Sequence, residues 1–237
     1  MKVLFVGNSH TYFNDMPHTF ARLCAAAGTP AEAVLLAHSG QPLAWHLNEY
    51  FELRYNLLWG GYDFCVIQQQ AHPFPGCEAT REPLERIAAL CRAGGARPVL
   101  VTSWAERRAP EHQAQMSETM ARLAAETGAL AAPVGEIWQT VRRTHPEIEL
   151  FWRDGEHASP LGDYLVAVTL AALLTGTDAR QLPTLGADFA RGAEIDFFAG
   201  PRVIEDPAAV ETALDETACA ALREAVAARL GQAQSRT

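Results

Sequence analysis

Five short polar segments of the chain could do chemistry. They are Gly7-Asn8-Ser9-His10-Thr11, His38-Ser39-Gly40-Gln41, Gln68-Gln69-Gln70-Ala71-His72, Ser103-Trp104 and Trp152-Arg153-Asp154-Gly155-Glu156-His157. Together they hold a serine, a backbone glycine, carboxamides and an Asp/His pair. That inventory suits acyl transfer, which needs a nucleophile, a base, a group that orients the base and donors for a developing oxyanion. A serine hydroxyl is a poor nucleophile at neutral pH and needs a base beside it. In this reading His157 takes the Ser9 proton, while Asp154 holds the imidazole tautomer and stabilises the imidazolium.

The elements that must position these groups are short apolar runs alternating with helix-period segments. Val3–Val6, Ala33–Ala37, Phe64–Ile67, Pro98–Thr102 and a weaker Leu130–Val134 read as strands. Each crossover between successive strands carries a helical pattern. The first opens at Asp15 and Pro17 and stops at Gly28; the second carries Leu47, Tyr50, Phe51 and Leu58 and ends at Gly60-Gly61. Ser159-Pro160 reads as an N-cap and first helical position, opening an apolar helix through Leu174. A last helix is expected from about Asp215 to Gly231. Such alternation predicts an α/β protein, a three-layer α/β/α sandwich around a mostly parallel sheet of about five strands. Ligands of open α/β sheets bind beyond the carboxyl ends of the strands. Four of the five polar segments directly follow a predicted strand, and the fifth directly precedes the apolar helix.

Taken singly, each residue has a plainer explanation. A serine after Gly-Asn is ordinarily a turn or cap, Gly40 a strand-exit turn, and Asp154-Gly155 another turn. Co-location at several independent strand ends favours the chemical reading. His10, His38, His46 and His72 read as local hydrogen-bonding residues. Trp104 and Trp152 are placed either as pocket walls or in the core. Met116 and Met120 read as core at helical spacing.

The Gly-Asn-Ser-x-Thr run after the first strand resembles block I of the SGNH (GDSL-like) hydrolases, with Asn8 where Asp is usual. Asp154-Gly155-Glu156-His157, followed by Ser159-Pro160, is similar to their C-terminal Asp-x-x-His block. The resemblance runs from residue 1 to about residue 176 and implies a flavodoxin-like SGNH fold. It also implies Ser9, Asp154 and His157 as a triad, with the backbone N–H groups of Ser9 and Gly40 in the oxyanion hole. Block III departs from the family's Gly-x-Asn-Asp, because the chain has three glutamines there. A branch of related sequences uses Gln near this point. Gln68 and Gln70 both stand as oxyanion donors, since residues two apart share a face of an extended segment. Gln69 is set aside, and His72 is the poorer donor. The implied substrates are small-molecule esters, short-chain or O-acetyl, with acylated carbohydrates among them.

Two other functions compete. One is a metal-dependent hydrolase or phosphoesterase using His10, His72, Asp154 and His157, although no HExxH or similar close spacing occurs. The other is an inactive carbohydrate-binding protein on the same fold. No phosphate-cradling or dinucleotide glycine pattern follows the first strand, so no cofactor is expected.

The 237 residues carry 19 Lys+Arg against 28 Asp+Glu, a formal charge of −9. That balance argues against a nucleic-acid binder and suits neutral esters better than highly anionic substrates. The five cysteines (Cys24, Cys65, Cys77, Cys91, Cys219) lack a CxxC pair, and an odd, scattered set reads as reduced thiols in a cytoplasmic protein. No apolar stretch reaches membrane-spanning length. One domain over 1–237 is expected, with a core over 1–176 and irregular loops plus a C-terminal helix over 177–237.

Overall fold

A computed structural model describes residues 1–186, 193–196, 200–203 and 213–234. Five strands form one sheet: β1 (Lys2–Gly7), β2 (Glu32–Ala37), β3 (Phe64–Gln68), β4 (Arg97–Val101) and β5 (Leu130–Ala132). All neighbours run parallel, in the order β2-β1-β3-β4-β5. The crossovers and flanks supply α1 (Ser9–Tyr12), α2 (Met16–Ala26), α3 (Leu43–Asn48), α4 (Tyr50–Trp59), α5 (Gly76–Ala93), α6 (His112–Thr127), α7 (Val134–Thr144), α8 (Pro160–Thr175) and α9 (Glu216–Gln234).

Two-residue periodicity divides the core into two layers. Val3, Phe5, Val66, Val99 and Val101 face one side, where they meet α2, α7, α8 and α9. Leu4, Val6, Cys65, Ile67 and Leu100 face the other, against α3, α4, α5 and α6. The register pairs Leu4 with Val34 and with Cys65, and Val6 with Leu36 and with Ile67, so each layer stays in phase across strands. α9 buries Cys219, Leu222 and Val226 in the same cluster as α8. The five cysteines are free thiols, and all but Cys77 are buried.

Several boundaries differ from those expected. The segment after Ser9 is helical at once: α1 is followed by a 3-10 turn over Phe13–Asp15, in which Asn14 (φ 47°) and Asp15 (φ 55°) are left-handed. Asp15 precedes α2 but does not cap it with its side chain, which pairs with His18 Nδ1 at 3.0 Å. The single helix expected over 47–58 is two, broken at Glu49, and Phe51 is 73% exposed rather than packed inward. α4 buries Leu53 and Leu57 instead, which puts Phe51 on its outer face. β5 stops at Ala132, and Val134 starts α7. Ser159 caps α8 as expected, its Oγ accepting from Gly162 N–H at 3.1 Å.

The stretch 177–207, expected to be irregular, contains a 3-10 turn (Ala179–Gln181) and an antiparallel pair, β6 (Ala193–Asp196) with β7 (Gly200–Val203). Gly200 and Pro201, residues uncommon inside strands, hid β7 in the sequence. Residues 187–192, 197–199 and 204–207 of that stretch lie outside the described residues.

Candidate active site

The Ser9 loop starts where β1 ends. Gly7 carries no side chain; a Cβ there would lie 2.2 Å from Thr11 Oγ1. Its carbonyl accepts from His38 N–H (3.1 Å) and from His46 Nε2–H (2.8 Å). Asn8 then caps α1, its Oδ1 accepting from His10 N–H at 3.1 Å, while its Nδ2–H donates to the Gln41 carbonyl at 3.2 Å. The amide therefore ties the Gly40 turn to the Ser9 turn. Gly40 itself is exposed with φ +69°, a conformation in which glycine has no Cβ penalty. The Ser9 and Gly40 backbone N–H groups have no acceptor among the described residues.

The His157 turn comes from the opposite end of the chain. Phe151 and Ala158 form an antiparallel bridge, and Trp152 N–H donates to the His157 carbonyl at 2.7 Å. Gly155 (φ +76°) makes the turn between them. The β4–α6 loop braces it from outside: Trp104 Nε1–H donates to the Glu156 carbonyl (2.8 Å), and Arg107 N–H to the Gly155 carbonyl (2.9 Å).

These two turns bring Ser9, His157 and Asp154 together across 148 positions of sequence. Ser9 Oγ–H donates to His157 Nε2 at 2.9 Å, and His157 Nδ1–H donates to Asp154 Oδ2 at 2.7 Å. The tautomer follows from the acceptor-only carboxylate at Nδ1. Asp154 Oδ1 accepts from the backbone N–H groups of Glu156 (2.9 Å) and His157 (3.0 Å). Partial burial would raise its pKa, but these hydrogen bonds and the His157 ring outweigh burial and hold the carboxyl below its ordinary value. Asp154 therefore stays ionised where a base needs an orienting anion.

The three glutamines divide in the structure. Gln68 is buried, its Oε1 accepting from Thr11 Oγ1–H (2.5 Å) and its Nε2–H donating to Ser103 Oγ (3.1 Å). Both ends of its carboxamide are engaged, by the Thr11 and Ser103 hydroxyls, which leaves one of its two amide N–H bonds for the oxyanion role expected of it. Gln69 is also buried: its Oε1 accepts from Leu43 N–H (3.0 Å) and Gln70 N–H (2.8 Å), and its Nε2–H donates to Thr80 Oγ1 (3.1 Å). Gln70 is half-buried, and its side chain has no hydrogen-bond partner among the described residues. β3 ends at Gln68, so Gln70 lies beyond the strand on which the shared-face expectation rests.

Three residues complete the site: His10, read from the sequence only as a local hydrogen-bonding residue or metal ligand, and Phe13 and Asn14, which the sequence did not single out. His10 stacks on His157 with ring centroids 4.5 Å apart and planes 18° apart; Phe13 stacks on it at 4.6 Å and 26°. Asn14 Nδ2–H donates to the Ala158 carbonyl (3.0 Å) and to Asp163 Oδ2 (2.7 Å), linking the Ser9 segment to the residues after His157. An available signal was helical spacing after Ser9, which puts residues 10, 13 and 14 within one turn.

His10 and His72, read as possible metal ligands, bond to each other through His10 Nε2 and His72 Nδ1 at 3.0 Å. Among the described residues, no group of three His, Cys, Asp or Glu is placed to hold one metal ion. Trp104 is fully buried and stacks on Trp138 (4.3 Å, 5°), so its bulk is core while its N–H supports the site. Trp152 is half-buried and meets Phe13 edge-on at 6.0 Å. Among the described residues, no helix is long and apolar enough to cross a membrane.

No family model and no curated protein matches the chain in sequence. Solved structures do match. A DUF4886 family protein from Bacteroides uniformis superposes with a TM-score of 0.72 at 16% identity, covering 97% of this chain and 94% of that one. An acetylxylan esterase from Geobacillus stearothermophilus gives 0.60 at 16% identity, over 75% and 95% of the two chains. A protein named as a GDSL-like lipase from Parabacteroides merdae gives 0.59 at 17%, over 74% and 95%. The chain thus has the α/β fold of these proteins, a five-stranded parallel sheet with helices on both faces.

Proposed function

We propose that the protein is a serine esterase that hydrolyses small acyl esters, short-chain or O-acetyl, through an acyl-enzyme on Ser9. The observation that carries this reading is the unbroken chain Ser9 Oγ–His157 Nε2–His157 Nδ1–Asp154 Oδ2, with links of 2.9 and 2.7 Å. His157 takes the Ser9 proton as Oγ attacks the ester carbonyl carbon. The C=O electron pair moves onto oxygen, which the N–H groups of Ser9 and Gly40 and the Gln70 carboxamide would receive. Collapse of this adduct expels the alcohol, protonated by the His157 imidazolium. Water, deprotonated by His157, then attacks the acyl-Ser9 carbonyl, and collapse returns the proton to Ser9 and releases the acid.

The N–H groups of Ser9 and Gly40 and the Gln70 amide, without partners among the described residues, support the oxyanion assignment, since such donors must be available before charge develops. The likeness in fold to an acetylxylan esterase supports acylated carbohydrates as one substrate class. The test is a fluorophosphonate probe followed by intact-mass and peptide analysis. One adduct on Ser9 is expected, together with its loss in Ser9→Ala. Full ester hydrolysis by Ser9→Ala would end the reading.

A further inference from the structure

The base of this site is held by its faces as well as its edge. The His157 ring lies between His10, in the helical turn that carries Ser9, and Phe13, which caps the end of that turn. His10 is held in turn by a chain whose protons can be assigned. The Trp104 carbonyl lies 3.0 Å from His72 Nε2 and can only accept, so that nitrogen carries the proton. Neutral His72 then offers its Nδ1 lone pair, and His10 must donate Nε2–H to it at 3.0 Å. His10 is 7% exposed, and Trp104 packs on it at 5.5 Å between ring centroids. Burial, with His72 and His157 beside it, pushes the His10 pKa well below its ordinary value.

Resting on the serine-esterase reading, we infer that His10 is a positioning residue that, with Phe13, clamps the His157 imidazole face-on and keeps Nε2 aimed at Ser9 and Nδ1 at Asp154 through the proton transfers. Rotation of the ring about its Cβ–Cγ axis would break both hydrogen bonds, and the two flanking rings block it. The clamp also suits the charged intermediate. An imidazolium between a phenyl face and a neutral imidazole gains cation–π attraction, whereas a cationic neighbour at 4.5 Å would repel it. Burial of His10, with His72 and His157 beside it, favours that neutrality and outweighs the opposing hydrogen bond to the Glu156 backbone.

Two substitutions separate the clamp from the hydrogen bond. His10→Phe keeps the face and loses the bond to His72; His10→Gln keeps an N–H donor and loses the face. Misplacement of a reacting group by about 1 Å can cost about 10²-fold. On p-nitrophenyl acetate, His10→Gln is expected to lower kcat by about 10-fold to 100-fold with KM within about 2-fold. His10→Phe is expected to melt earlier but to keep kcat within about 3-fold, because the face remains. Equal damage in the two variants, or none in a folded His10→Gln, would overturn the inference. Phe13→Leu and Phe13→Tyr repeat the comparison from the other face should either His10 variant fail to fold; the clamp requires loss in the first and retention in the second. A ring-proton NMR spectrum serves without any activity. The His157 Nδ1–H resonance should persist in the wild type and His10→Phe and broaden by exchange in His10→Gln; equal broadening in all three refutes the clamp. A wild type that takes no Ser9 label and cleaves no ester refutes the esterase reading instead, and leaves the NMR comparison to decide on the clamp.

Discussion

Replacing Asn14 by alanine should destabilise the protein far more than a half-exposed loop position normally would. Its Nδ2 group gives two hydrogen bonds, to the Ala158 carbonyl at 3.0 Å and to Asp163 Oδ2 at 2.7 Å. Asp163 is 2% exposed and its Oδ1 already has no partner among the described residues, so the substitution leaves the whole buried carboxyl unbonded. An unsatisfied buried polar group costs about 1–3 kcal/mol. Asn14 also sits at φ 47°, ψ 30°, where alanine pays a left-handed penalty of about 1–2 kcal/mol that Asn partly escapes through its local hydrogen bonding. The expected loss is therefore about 2–4 kcal/mol, a large share of a total stability of about 5–15 kcal/mol. Urea unfolding of the wild type, Asn14→Ala and Asn14→Gly at pH 7 measures it. Glycine loses the same amide but not the backbone penalty, so Asn14→Gly should fall between the other two. An Asn14→Ala protein within about 0.5 kcal/mol of the wild type would show that this bridge is not what holds the two segments together. A glycine variant below the alanine one would refute the backbone part.

Asp163 itself should give a pH signature. Burial raises its pKa well above the ordinary value, with only Asn14 opposing. The unfolded chain thus releases this proton near the usual carboxylate pKa while the native state keeps it, and stability falls as pH rises beyond that point. Asp163→Asn removes this slope, so its gain over the wild type in urea titrations should grow from pH 4 to pH 8; a constant difference would contradict it. Gln70→Ala is expected to lower kcat by about 10²-fold with little change in melting, whereas Gln68→Ala, which strands the Thr11 and Ser103 hydroxyls, should cost about 1–3 kcal/mol of stability. Esterase kinetics beside thermal melts would expose a reversed pattern. Gly7→Ala forces a Cβ to within 2.2 Å of Thr11 Oγ1 and 3.3 Å of the Gln68 carbonyl, and should cost about 1–3 kcal/mol. Removing the opposing hydroxyl in Gly7→Ala/Thr11→Ala should recover part of that loss, and no recovery would place the clash elsewhere.

What the chain announces by itself is whatever depends on local periodicity. Val3–Val6 and Phe64–Ile67 read as buried strands because parallel strands covered on both faces are apolar throughout, and Ser159-Pro160 marked its helix because a cap and an N1 proline need only their own neighbours. The polar residues at strand ends, Ser9 among them, are equally legible, and Asp154 and His157 are marked by the Ser159-Pro160 helix start that follows them. Exposed and irregular positions were not: Phe51 reads as core in any hydrophobicity pattern, and only α4's packing through Leu53 and Leu57 turns it outward. Only the tertiary structure ties Gln68 to the Thr11 and Ser103 hydroxyls, 57 and 35 residues away, and leaves Gln70 beyond the end of β3. It also decided that His10 and Phe13 flank His157, and that Asn14 reaches Asp163 across 149 positions. Pairings of that kind have no local signature, since their energy comes from satisfying buried groups that meet only once the sheet has assembled.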